Sequence, residues 1–229
     1  YTNLVSNTGV VASDTAGVDG GRNGVAATQY GGDKGIFGYG NESCPPNACY
    51  SNISNLVSNA GVVASDTAGV GTARNGLAAC EYGDDKGIFG FGSTPSAVAY
   101  TNLVSNAGVV ASDTAGVAGV TARGDKLGAC GYGGDKGIFG FGTPGPTNIT
   151  NLVSNTGVVA SDQAATTGTS RYSIAATQYG GDKGIFGFGA IYGGTNVGMT
   201  NLVSNTGVVA SDVAAVGTAS GSRGACSFN

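Results

Sequence analysis

The side chains that could do chemistry in this 229-residue chain are few and regularly spaced. There are 10 Lys and Arg against 14 Asp and Glu, and no histidine, so the usual general base, the commonest metal ligand and the ordinary pH switch are missing together. Of these 24 charged residues, 18 belong to series that recur along the chain. The basic series are Arg22, Arg74, Arg123, Arg171 and Arg223, and Lys34, Lys86, Lys136 and Lys183. The acidic series are Asp14, Asp66, Asp113, Asp162 and Asp212, and Asp33, Asp85, Asp135 and Asp182. A catalytic acid and base need environments that drive their pKa values apart, and carboxylates repeated in one setting lack that asymmetry. No serine stands in a nucleophile-elbow context, so the chain is not expected to be an enzyme.

The repeated charges read first as structure. Each arginine is expected to bridge strands or blades through the Ser-Asp carboxylates, and each Asp-Lys pair to sit at a solvated turn tip. The functional alternative is one small-ligand site per repeat, with Asp and Asn side chains holding sugar hydroxyls beside Tyr30, Tyr82, Tyr132 or Tyr179. Calcium at those carboxylates is the weaker option, because no copy concentrates enough oxygen ligands. Neither a metal nor a cofactor is expected.

Five cysteines divide into two groups. Cys80, Cys130 and Cys226 occupy the position held by Thr28 and Thr177 in other copies, which predicts small buried thiols in different blades. Cys44 and Cys49 stand in an insertion, 41–50, that no other repeat carries. A bridge between them closes a short loop, contributes about 2 kcal/mol in the chain-entropy picture and implies an oxidising compartment. Metal binding by the pair alone is the weaker alternative, since a structural zinc site takes four ligands. Acceptor triplets for N-glycosylation start at Asn41, Asn52 and Asn148, all in the variable segment between repeats, and glycan is expected on Asn52 or Asn148 first.

The elements that must position these groups follow from repetition. The phrase Asn3-Leu-Val-Ser-Asn-Thr-Gly-Val-Val-Ala-Ser-Asp14 restarts at Asn55, Asn102, Asn151 and Asn201. A second phrase, Asp33-Lys-Gly-Ile-Phe-Gly-Tyr-Gly40, restarts at Asp85, Asp135 and Asp182. A period near 50 residues is in the range of propeller blades. Within a unit, 3–6 and 10–14 flank a Ser-Asn-Thr-Gly turn, a third strand covers 24–30 after the arginine, and a fourth covers 35–39 after a Gly-Asp-Lys turn. Helix is nowhere favoured, because no window repeats its apolar residues at 3.6 spacing. In the fourth strand Phe37 and Tyr39 are expected on one face and Ile36, Gly38 and Gly40 on the other, so that the bare face accepts a neighbour's rings.

The order of arginine, small apolar strand, tight turn, Ile-Phe-Gly-aromatic-Gly, loop and hairpin resembles the kelch-type β-propeller repeat. It is similar as well to repetitive kelch-like proteins of phage tails and extracellular bacterial surfaces. The likeness spans the whole chain, although the kelch double glycine is here Gly-Phe-Gly or Gly-Tyr-Gly and the usual tryptophan is missing. The expected fold is an all-β, five-bladed propeller in one domain, 1–229, with repeats starting near 3, 55, 102, 151 and 201. Its fifth blade is shared by the termini.

Alternating strands place the Gly-Asp-Lys and Ser-Asn-Thr-Gly turns at one end of the disc and the variable loops 41–50, 93–99, 143–149 and 190–199 at the other. Loop variation on a rigid scaffold is how binding arises, and Asn47, Tyr50 and Tyr192 are the candidates there. The expected function is a secreted or virion-surface structural and adhesive protein that meets a partner or neighbouring subunit, with a multivalent lectin as the alternative. A net charge of −4 without a basic run argues against nucleic acid, and no apolar stretch is long enough for a membrane span. Tyr1 is expected to begin a processed product or fragment. Five hairpins face only four Ile-Phe-Gly strands. The vacancy is expected to be filled by chain beyond Asn229 or by a strand from another molecule, with collapse of the blade as the bland outcome.

Overall fold

A computed structural model describes residues 1–44, 47–124, 126–163 and 168–227, the side chains of 47 and 48 excepted. The architecture is all-β, with one three-residue 3-10 turn, Tyr192–Gly194, as its helical content among the described residues. Fifteen strands form five three-stranded antiparallel sheets set consecutively along the chain, an arrangement consistent with a propeller.

Four of these sheets are copies of one another. The first comprises β2 (Ala26–Tyr30), β3 (Lys34–Gly38) and β6 (Ser54–Val57). The second comprises β7 (Ala78–Tyr82), β8 (Lys86–Gly90) and β9 (Thr101–Val104). The third comprises β10 (Gly128–Tyr132), β11 (Lys136–Gly140) and β12 (Thr150–Val153), and the fourth β13 (Ala175–Tyr179), β14 (Lys183–Gly187) and β15 (Thr200–Val203). The fifth sheet is smaller and was not expected: β1 (Arg22–Asn23), β4 (Asn41–Cys44) and β5 (Asn47–Tyr50), built from the insertion and the arginine that precedes β2.

Each repeat sheet is assembled across the repeat boundary rather than within a unit. In the third sheet Ile138 lies opposite both Cys130 and Leu152, so the Ile-Phe-Gly strand is central and its outer neighbour belongs to the next unit. The expected second strand contributes isolated bridges such as Val57↔Val63 and Ser54↔Thr67, because Ser, Asp and Gly interrupt its ladder. The N-terminal hairpin keeps the same two bridges, Thr2↔Thr15 and Val5↔Val11. Residues 224–227, expected as a third strand, form no strand, and 228–229 lie outside the described residues.

Successive sheets interlock through their glycines. A Cβ placed on Gly38, Gly90 or Gly140 would stand 2.8, 2.6 or 2.8 Å from the Cζ of Phe89, Phe139 or Phe186 in the following sheet. The bare face therefore does receive a neighbour's ring, at about 1.5–3 kcal/mol per buried aromatic. The second aromatic of the phrase departs from expectation. Tyr39, Phe91 and Phe141 have left-handed backbones (φ 64, 63 and 63°), which ends the strand's alternation and turns each ring to the Gly38 side. Tyr39 then packs edge-on against Phe89 at 5.3 Å between centroids, and Phe91 against Phe139 at 5.2 Å. Tyr39 and Phe37 thus lie on opposite faces. Gly40, at φ 101°, could carry no other residue without strain, and its amide donates to the Arg74 carbonyl of the next unit.

Candidate functional site

The turns and loops segregate to two ends, as strand direction requires. Asn59 Nδ2 donates to Asp33 at 3.0 Å, Asn106 to Asp85 at 2.9 Å, Asn155 to Asp135 at 3.0 Å and Asn205 to Asp182 at 3.1 Å, so the two tight turns of every repeat sheet touch. The same aspartates pair with Lys34, Lys86, Lys136 and Lys183 at 2.7–2.9 Å, on exposed tips. Those lysine and asparagine partners hold the Asp33, Asp85, Asp135 and Asp182 carboxyls below their usual range.

At the loop end the arginines are buried. Arg74, Arg123 and Arg171 are 0, 1 and 0% exposed. Each guanidinium lies over the second aromatic of the preceding sheet: Arg74 over Tyr39 at 4.4 Å, Arg123 over Phe91 at 4.3 Å and Arg171 over Phe141 at 4.9 Å. Within its own sheet, Arg74 Nη2 donates to Asn102 Oδ1 at 2.5 Å, Asn102 Nδ2 donates to Asp113 Oδ1 at 2.9 Å, and Thr72 donates to the other Asp113 oxygen. Arg123 with Asn151 and Asp162, and Arg171 with Asn201 and Asp212, repeat the relay.

The expected bridge to the Ser-Asp carboxylate is therefore made chiefly through an asparagine, with one ion pair, Arg74 to Asp113 at 3.5 Å, among the described residues. The first Asn of the repeated phrase, expected only as the start of a strand, was the legible signal for this. Burial disfavours the ionised form at Asp113, Asp162 and Asp212, yet hydrogen bonds from the threonine and asparagine outweigh it and depress each pKa. Burial also lowers Arg123 to about 10, still protonated at neutral pH. This relay is a clamp between sheets: Arg74 Nε also donates to the Phe91 carbonyl at 2.8 Å, while the buried Nε of Arg123 and of Arg171 has no partner among the described residues.

Tyr30, Tyr82 and Tyr132 are each 4% exposed, beneath the hairpin glycine of the following sheet. A Cβ on Gly108, Gly157 or Gly207 would meet their ring carbons at 3.0 Å, so those three ring faces are covered rather than open to a sugar. Tyr179 is half-buried. The structure does not bring the four tyrosines together.

The variable end presents Tyr50 and Tyr192, 40 and 87% exposed, while the Asn47 side chain lies outside the described residues. Cys44 and Cys49 are joined across the β4–β5 hairpin with their Cα atoms 5.7 Å apart, which is compatible with an extracellular protein. Asn41 is half-buried, its Nδ2 directed at Asn23. Asn52 Nδ2 donates to the Gly71 carbonyl at 2.6 Å and Asn148 Nδ2 to Gly168 at 2.8 Å, so the atoms that would carry glycan already hold loops in place.

The third strands converge on a cavity of about 410 Å³ lined by residues of β2, β7, β10 and β13 and by Ala225, Cys226 and Ser227. Cys80 and Cys130 are buried there, their sulfurs against Gly137 and Gly184 of the next sheet, and burial pushes the Cys130 thiol up to about 12. Cys226 is exposed, contrary to expectation. Its segment joins no ladder, and nothing draws its sulfur against Gly35 in the way that Gly137 receives Cys80. Among the described residues no cluster of three or more His, Cys, Asp or Glu is placed to hold a metal, and no helix is long and apolar enough to cross a membrane. The chain matches no known family model and no curated protein.

Proposed function

We propose that the chain is a non-enzymatic structural and adhesive propeller of five kelch-like repeats, working outside the cell or on a virion surface, and that its loop end meets a partner or neighbouring subunit. One observation carries this reading: the length variation between repeats is gathered in the loops at a single end of a scaffold whose other end is nearly identical in each copy. The disulfide-closed β4–β5 hairpin, the Ser93–Ala97 bridge and the 3-10 turn at Tyr192 lie there, with Tyr50 and Tyr192 as exposed anchors. The clamp of Arg74, Asn102 and Asp113 beneath gives these loops a stiff base. The covered rings of Tyr30, Tyr82 and Tyr132 weigh against one sugar pocket per blade.

The test is adhesion of the purified protein to cells or particles from its source, together with sedimentation, for the wild type and for Tyr50→Ser combined with Tyr192→Ser. Reduced adhesion or association with an unchanged melting temperature supports the reading. Unchanged adhesion, or a glycan array showing one sugar bound per repeat, overturns it.

A further inference from the structure

Of the 10 cationic side chains, five Arg and four Lys belong to the repeating series, and Lys126 does not. Lys34, Lys86, Lys136 and Lys183 each pair with an aspartate. Arg22, Arg74, Arg123, Arg171 and Arg223 each donate to a carbonyl or side-chain oxygen. Lys126 has no hydrogen bond or ion pair among the described residues. Its ammonium lies 5.2 Å from the centre of the Tyr172 ring, which steadies the side chain without neutralising it. Asp125, its neighbour in sequence, lies outside the described residues.

The backbone that carries Lys126 is one that favours glycine. Two residues before β2, β7, β10 and β13 the chain is left-handed: Gly24 and Gly76 at φ 63°, Lys126 at φ 74° and Ser173 at φ 55°. Glycine enters this region freely, whereas a residue with a Cβ does so at a cost in stability. The third and fourth units therefore keep side chains where the first two show that glycine serves. Ser222 is left-handed as well, at φ 55°. The Gly76 amide donates to the Gly24 carbonyl at 3.1 Å, that of Ser173 to Lys126 at 2.8 Å and that of Ser222 to Ser173 at 2.9 Å. A belt of hydrogen bonds between neighbouring units thus fixes the backbone that bears these groups.

These residues surround a cavity of about 570 Å³ where the loop-end starts of the third strands converge, and all five units contribute to its wall. Leu77, Leu127 and Ile174, 6–7% exposed, form its apolar side. Lys126, the Ser173 and Ser222 hydroxyls and the Asn75 carboxamide form the polar side. The two hydroxyls and the carboxamide make no hydrogen bond among the described residues, and Asn75 Oδ1 is buried without a partner. No carboxylate lines this cavity among the described residues; Glu81 lines the separate one further along the third strands.

We propose that this cavity binds one small hydroxylated carboxylate per chain, an acidic monosaccharide of the uronic acid class. The site goes beyond the adhesive reading and does not rest on it. A single ammonium with no opposing carboxylate suits a monoanion, and a doubly charged phosphate would find only half its countercharge. The ligand carboxylate accepts from Lys126 Nζ, and its hydroxyls exchange hydrogen bonds with Ser173, Ser222 and Asn75. The C–H face of the ring lies against Leu77, Leu127 and Ile174, within a volume ordinary for small-molecule pockets. A fatty carboxylate is the poorer ligand, because its chain would leave the hydroxyls and the carboxamide unpaired.

The test is titration of the chain with methyl glucuronide, methyl glucoside and octanoate, read by calorimetry and ligand-observed NMR. Saturable binding of one glucuronide per chain is expected, with the glucoside bound about tenfold or more weakly, since the carboxylate alone distinguishes the two. Lys126→Gln, which removes the charge and keeps a side chain, is expected to weaken glucuronide binding about tenfold. Lys126→Gly has the same effect without lowering the melting temperature, because the left-handed backbone receives the residue it favours. Lys136→Gln, at the opposite end, binds as wild type. Absence of saturable binding, equal binding of glucuronide and glucoside, four or five glucuronides per chain, or full binding by either Lys126 variant overturns the proposal. Octanoate bound more tightly than the glucuronide overturns the choice of ligand class.

Discussion

The guanidinium of Arg74 lies 4.4 Å above the ring of Tyr39; Tyr39 follows β3 of one sheet and Arg74 precedes β7 of the next. Its Nη2 is held at the same time by Asn102 in its own sheet, so one side chain fixes both the spacing and the angle between neighbours. The Tyr39 phenol, buried in this contact, is pushed up to about 12 against the opposing influence of the Arg74 charge.

Removing the asparagine should therefore cost more than its own contacts. Asn102→Leu leaves a fully buried guanidinium without its principal side-chain acceptor, and a loss of about 3–5 kcal/mol is expected in denaturant unfolding. The equivalent Asn55→Leu faces an Arg22 that water reaches, and should cost about 1 kcal/mol. Equal costs at the two positions would show that the asparagine acts within its sheet alone.

Gly90→Ala drives a methyl group to within 2.6 Å of the Phe139 ring, which is itself pinned against Phe91. Overpacking of this kind should cost about 1–3 kcal/mol. The melting temperature is the readout, and Gly187→Ala, whose neighbour lies 3.3 Å away, serves as the tolerated counterpart.

Acid should unfold the protein through the relay carboxylates. Asp113, Asp162 and Asp212 have native pKa values below the ordinary 3.8. Groups with depressed native values contribute stability that is present above the unfolded pKa and lost as the pH falls through the folded one. Melting temperature is expected to be flat from neutral pH to about 5 and to drop steeply below about 4, and Asp113→Asn should flatten that drop.

Thiol labelling separates the cysteines. Without reductant, alkylation of the native protein should modify Cys226 alone, because Cys44 and Cys49 are joined and burial pushes the Cys80 and Cys130 thiols far above the range in which thiolate forms. Three labels should appear only after unfolding, and five after reduction as well; mass spectrometry counts them.

Local chemistry and repetition made much of the fold legible. Glycine content, turn phrases and the period near 50 residues were enough for an all-β chain of like sheets. The alternation Ile36-Phe37-Gly38 showed that one sheet would seat its neighbour's ring, because a strand's two faces follow from its backbone alone. The disulfide was readable because the insertion that holds it is unique.

What the sequence could not decide depended on which groups meet across sheets. Tyr39 departs from its strand's alternation because its backbone is left-handed, at φ 64°, where its amide turns to the Ile53 carbonyl and that of Gly40 to the Arg74 carbonyl of the next unit. Asn102 was expected in the first strand of its hairpin, and only the approach of Arg74 from a loop 28 residues away made it the centre of a clamp. Cys226 carries the same repeat position as Cys80 and Cys130 and is exposed all the same. Burial belongs to the neighbours a residue acquires, and repetition of sequence secures burial only where the adjoining sheet is present to supply them.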